Sequence, residues 1–166
     1  MKKSLITFLF VFAAVSLSAQ NISYANLVKL VNMNSISSMS STLRSWGFKL
    51  GETGNEEDYE FYEWGWGDTR YNSDFGDWLC GQKAWALACL MKYQDSRIFY
   101  FDFSSSSTFE QLKSQVKADG WQVTDEYQND TGFHIQYEKE STDDFLDLKE
   151  STSPAGGFSI IYFKYL

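Results

Sequence analysis

Most of the side chains that enzymes and nucleic-acid binders rely on are scarce in this chain. Among its 166 residues there are one histidine and two cysteines. Two Cys with one distant His fit no metal-ligand spacing. The nucleophile motif G-x-S-x-G is absent, and so are the phosphate loop and the dinucleotide fingerprint, so the sequence calls for no cofactor and no metal. Lys and Arg number 14 against 22 Asp and Glu. So small a supply of cations disfavours phosphate backbones and anionic lipid surfaces as partners. No apolar run reaches the roughly 20 residues that cross a bilayer of about 30 Å, which argues against insertion of the mature chain.

The amino terminus carries an export signal. Met1-Lys2-Lys3 is a basic start, Leu5 to Val15 is an apolar stretch, and Ser16-Leu17-Ser18-Ala19 ends in small residues. We expect cleavage after Ala19, or after Ser18, and a periplasmic or extracellular mature protein. Residues 1–19 contain Lys2 and Lys3 but no acid, so the mature 147 residues carry a charge of −10. They keep 11 Phe, 10 Tyr and 6 Trp, enough apolar mass for a core with some left over.

The chain also repeats residue types at an offset of 73: Ser35-Ile36 against Thr108-Phe109, Trp46 to Leu50 against Asp119 to Val123, and Trp85 to Leu90 against Phe158 to Phe163. A fixed offset kept at three separated places marks a duplicated supersecondary unit. Apolar residues at 24, 27, 28 and 31, and at 36, 39, 43 and 46, have helical spacing. Ser35 is a candidate cap for the second of these helices. Ser107-Thr108-Phe109-Glu110 fits a capping box for a third, in which Phe109, Leu112 and Val116 share a face. Gly47 and Gly120 follow the second and third helices where a left-handed residue is favoured.

Seven strands are expected, over 48–51, 59–66, 84–92, 98–103, 121–127, 133–139 and 158–166. Short links between them imply antiparallel pairing. The fold class is therefore α+β: two tandem copies of a helix-then-antiparallel-strands unit, forming a sheet with helices on one face. Residues 20–106 form the first copy and 107–166 the second, fused into one globular domain. The last strand, 158–166, reads as an apolar edge that invites a dimer.

A secreted chain of this size with two such units of about 75 residues resembles the β-lactamase inhibitory protein, whose two copies build a concave sheet that grips a partner protein. The resemblance is one of layout and carries no contact residues over. It implies a binding protein without enzymatic activity.

The segment 64–78 is expected to be a long aromatic connection, with Trp64, Trp66, Tyr71, Phe75 and Trp78 set among Gly and Asp. Trp66, Tyr71, Phe75 and Trp78 are the candidate binding residues, for another exported or cell-surface protein or, alternatively, for a carbohydrate or small ligand stacked on the indoles. Asp68, Asn72, Asp74 and Asp77 match no calcium loop. The acidic segment 140–148 reads as a short amphipathic turn or a solvated rim, and His134, on the polar side of its strand, as a surface residue. In an exported chain Cys80 and Cys89 read first as a disulfide and next as two buried thiols. One straight strand would hold their sulfurs apart, so a bridge requires the chain to reverse near Gly81-Gln82-Lys83.

Overall fold

In a computed structural model, residues 22–74, 76–152 and 156–166 are described; the leader expected over 1–19 and the candidate residue Phe75 lie outside them. The described chain is α+β. Its elements run α1 (Tyr24–Val31), α2 (Ile36–Ser45), β1 (Lys49–Asn55), β2 (Glu60–Asn72), β3 (Asp77–Lys92), β4 (Ser96–Phe103), α3 (Ser106–Ala118), β5 (Gln122–Gln128), β6 (Gly132–Glu138), β7 (Phe145–Ser151) and β8 (Phe158–Tyr165). The eight strands form one antiparallel sheet in the order β1-β2-β3-β4-β8-β7-β6-β5. Two meanders thus lie back to back and meet where β4 pairs with β8.

Each helix starts on a serine. The Ser35 hydroxyl accepts from the Ser38 N–H, as expected from sequence. For α3 the capping residue is Ser105, two positions before the expected box, and its hydroxyl accepts from the Thr108 N–H at 3.2 Å. Both α2 and α3 end in a left-handed glycine, Gly47 at φ +88° and Gly120 at φ +89°. The next residue folds back to the helix in both: Phe48 N donates to Leu43 O at 3.0 Å, and Trp121 N donates to Val116 O at 3.4 Å. Tyr24 ties α1 to the far half of the chain, its hydroxyl accepting from Trp121 Nε1 at 2.7 Å and donating to Asp119.

The first hairpin of each meander keeps the offset seen in sequence. Lys49↔Gly65, Leu50↔Trp64, Thr53↔Tyr62, Gly54↔Phe61 and Asn55↔Glu60 recur 73 residues on as Gln122↔Glu138, Val123↔Tyr137, Glu126↔Ile135, Tyr127↔His134 and Gln128↔Phe133. Each hairpin has an irregularity at the same place, after Leu50 and after Val123. Beyond this point the offset breaks. Trp85 to Leu90 lie in β3, the third strand of its meander, whereas Phe158 to Phe163 lie in β8, the fourth strand of the other. The sequence match between these two segments joins positions that are not equivalent. β2 and β3 run on past the rest of the sheet to Asn72↔Asp77, whereas β6 and β7 are joined by the short link 139–144.

Three further expectations are corrected. The segment 64–78 is the end of a β-ribbon, not a loop: Thr69 to Asn72 pair with Cys80 to Asp77. The acidic stretch after Glu140 leads into β7, an interior strand that packs Leu146 and Leu148 into the core. The last strand, read as an edge, lies at the centre of the sheet with β4 on one side and β7 on the other.

One apolar cluster joins the helices to alternate positions of the strands. Leu27, Leu30, Met39, Leu43, Leu112 and Val116 from the helices meet Trp64, Ala88, Leu90, Phe99, Phe101, Tyr137, Leu146, Leu148 and Ile160 from the sheet. Trp64 and Tyr137, counterparts at the offset of 73, are both fully buried, and among the described residues neither the Trp64 indole N–H nor the Tyr137 hydroxyl has a hydrogen-bond partner. Tyr162 contrasts with them, donating its hydroxyl to Asp144 at 2.9 Å. A buried polar group left unpaired costs stability that an isosteric apolar replacement recovers. In urea titrations Tyr137→Phe should therefore raise unfolding free energy by about 1 kcal/mol, whereas Tyr162→Phe should lower it by about the same amount. Equal effects of the two changes would contradict this assignment.

Candidate functional site

The strand positions that do not enter the core form a second sheet face, whose residues run in register rows. Phe61, Met91, Ile98, Phe163 and Phe145 make one row across five adjacent strands, β2-β3-β4-β8-β7. All five are half-buried and outside the core cluster. At about 4.8 Å per strand the row is roughly 19 Å long. The next row holds Glu63, Cys89, Tyr100, Ile161, Asp147 and Gln136, and the third Gly65, Leu87, Asp102, Ser159, Lys149 and His134. An apolar stripe is thus flanked on one side by a mixed field, in which Glu63, Asp102, Asp147 and Lys149 stand among Leu87, Tyr100 and Ile161.

Sequence reasoning missed this row, although a signal was available. Trp85 to Met91 and Ile98 to Phe101 are apolar almost without alternation, the pattern of strands with apolar residues on both faces.

The four candidate aromatics do not form one platform. Trp66 belongs to the core side, packed against the buried cluster, and its indole lies beside Gly47. Trp78 folds over Gly51 of β1 and Gly65 of β2 on the second face: a Cβ added to Gly65 would fall 2.2 Å from Trp78 Cζ3, and one added to Gly51 would fall 2.3 Å from Cζ2. Tyr71, directly across the ribbon from Trp78, meets it edge-on with ring centroids 5.4 Å apart. The Tyr71 hydroxyl donates to Glu52, which pushes its own pKa up to about 12. Of the four, the structure brings together Tyr71 and Trp78 only, and Phe75 lies outside the described residues.

Cys80 and Cys89 are both free thiols on the single strand β3. Between them Gly81 to Ala84 bulge out opposite Asp68, whose carboxylate accepts from the Lys83 N–H at 3.0 Å. The bulge sits where a chain reversal would be needed for a bridge, and here the strand resumes beyond it in its original direction. Burial, with Glu63 and Asp102 adding to it, raises the Cys89 thiol to about 12, and Cys80 is raised as well, chiefly by burial. Neither thiol is activated as a nucleophile.

His134 is buried at 7% exposure rather than exposed as its strand pattern suggested. Tyr127 stacks on it with ring centroids 4.7 Å apart and planes 4° from parallel, and its Nδ1 meets the Asp147 carboxylate at 3.0 Å. Thr131 Oγ1 lies 3.2 Å from Nε2 but donates its own proton to Asn129 Oδ1 at 2.8 Å. Asn129 also accepts from the N–H groups of Thr131 and Gly132, so these residues hold the β5–β6 turn. Placement in β7 is what buries Asp147 and supplies His134 with its partner. Sequence reasoning, which left β7 out, had no way to pair them.

Asp102 is the electrostatic outlier of the third row. Burial raises its carboxyl above the usual aspartate range, opposed by the Ser159 hydroxyl and then by the Lys149 ammonium. Glu63 is also raised by burial, against which the neighbouring Trp78 indole acts. Among the described residues no group of three or more His, Cys, Asp or Glu is placed to hold a metal ion.

No protein-family model, curated protein or solved structure matches this chain.

The seat of Trp78 is tested by Gly65→Ala, whose methyl group occupies the space of the indole. Tryptophan emission should shift to the red and unfolding free energy should fall by about 1–3 kcal/mol; unchanged emission would show that Trp78 does not rest there. Asp102 generates a pH prediction. A folded-state value raised above the unfolded one gives a contribution fully present below the unfolded pKa, about 3.9, and lost as pH rises through the folded value. Asp102→Asn should therefore raise Tm at neutral pH, and that gain should shrink as the medium is taken below about pH 4. A gain that stays the same across this range would mean that Asp102 ionises as it does in the unfolded chain.

Proposed function

We propose that this chain is an exported, non-enzymatic binding protein that engages another exported or cell-surface protein across the second face of its sheet. One observation carries the reading: five large apolar side chains, Phe61, Met91, Ile98, Phe163 and Phe145, stand in a single row outside the core. Contiguous, partly accessible aromatic and aliphatic groups with a polar border are the usual composition of a protein-contact surface. Rigid strands hold them in place, so little ordering entropy opposes binding. Residues 1–19 supply the export signal.

On this reading the fold is two copies of one helix-plus-meander unit, with the helices on the core side and the opposite face left for the partner. The shared hairpin register at an offset of 73 and the back-to-back strand order support it. So does the resemblance in layout to the β-lactamase inhibitory protein, which grips its partner with a sheet. The alternative, a carbohydrate platform on the Trp-rich ribbon, would rest on Tyr71 and Trp78 alone, because Trp66 packs on the core side.

The test uses the double variant Met91→Ser/Phe163→Ser, which changes only half-buried positions outside the core cluster. Mature protein and folded variant are compared as capture baits in native extracytoplasmic extract. Wild type should retain a partner that the variant binds at least about 30-fold more weakly, the effect of losing a central contact worth about 2 kcal/mol. Retention of the same proteins by both baits would overturn the assignment of this face.

A further inference from the structure

Under the root of the β2–β3 ribbon the second face holds a shallow hollow of about 280 Å³, open to solvent and lined among others by Cys80, Trp85, Asp102, Lys149, Phe158 and Ser159. Trp85 also borders a wider groove of about 800 Å³, lined by the bulged Gly81 to Ala84 and by Ser104 to Ser106. Gly157 leaves room for the Trp85 ring at its rim: a Cβ there would come within 2.9 Å of that ring.

Asp102, Ser159 and Lys149 are successive register partners on β4, β8 and β7. Two strand spacings place the Asp102 and Lys149 backbones about 10 Å apart, with the Ser159 hydroxyl between them. Among the described residues neither charge takes part in a salt bridge, although Lys149 lies close enough to act on Asp102 electrostatically. An acid and a base therefore line one small hollow without pairing with each other.

This restricts the ligand. A cation would answer Asp102 but meet Lys149, and an anion would do the reverse. A neutral sugar can hydrogen-bond each group through its hydroxyls but brings no charge to offset either. A molecule bearing both charges at a short separation satisfies the two together. The geometry points to a binding site for a small zwitterion, a free α-amino acid in the simplest case, with its ammonium on Asp102, its carboxylate on Lys149 and its side chain against Trp85. The hollow lies just below the usual size range of small-molecule sites, which suits a ligand of this size. The site does not depend on the apolar row and stands whether or not that row binds a protein.

The test is calorimetric titration of the mature protein with the standard free amino acids, followed by the Nα-acetyl and α-amide forms of the tightest binder. At least one amino acid should bind with submillimolar affinity. Removing either ligand charge should weaken it by at least about tenfold, and so should Asp102→Asn and Lys149→Met. Asp102→Asn removes a half-buried charge and should fold at least as well as wild type, and the capped ligands probe the same pairing on the unaltered protein. Binding of none of the amino acids at millimolar concentration, or equal binding of zwitterion and capped forms, would overturn the proposal.

Discussion

Eight backbone pairs between β4 and β8, from Ser96↔Tyr165 to Phe103↔Phe158, turn two four-stranded meanders into one sheet. The features that span the whole sheet depend on this seam. On the core side it sets Phe99 beside Tyr162 and Phe101 beside Ile160; on the other it sets Ile98 beside Phe163 and Asp102 beside Ser159. The apolar row and the charged hollow both cross it. Were the two meanders to part, Phe61, Met91 and Ile98 would leave with one and Phe163 and Phe145 with the other. Joining at the centre also hides the most apolar strands and puts β1 and β5 at the edges. Both edge strands are mostly exposed and carry an irregularity near their start, a device that keeps an open sheet edge from pairing with other chains.

What could be read from the sequence about this fold was what short segments decide by themselves. The ends of α2 and α3 were visible in Gly47 and Gly120, because the left-handed turn there is a single-residue preference. The hairpins β3–β4 and β5–β6 were visible too, in the short links 94–96 and 128–132, because a tight turn is a local preference. The offset then misled. Trp85 to Leu90 and Phe158 to Phe163 match in composition because both must be apolar on two faces as interior strands, not because they hold the same place. β7 stayed hidden because Asp143, Asp144 and Asp147 made its segment look solvated. In the fold two of these acids are buried against partners distant in sequence: Asp144 accepts from Tyr162, and Asp147 meets His134.

The candidate site was legible only in part, for a related reason. Aromatic residues are dense between residues 64 and 78, yet composition says nothing of which face each ring takes. Strand alternation sends Trp64 and Trp66 to the core side, and the ribbon's return carries Trp78 over Gly51 and Gly65 on the other side. The row that carries the functional proposal draws its five side chains from five strands. No window of sequence contains it.

From sequence alone came the α+β class, the antiparallel pairing, the Ser35 cap of α2, the glycine stops of α2 and α3, and the acidic, aromatic-rich composition that disfavours nucleic acid. These follow from propensity, periodicity and charge, which act between near neighbours. Tertiary structure alone decided the strand order, the central place of β8, the burial of His134 and Asp147, and the facing of Asp102 and Lys149 across one hollow. Each of these requires strands far apart in sequence to share a register, and that choice is made by how the whole sheet packs its two faces rather than by any segment of the chain.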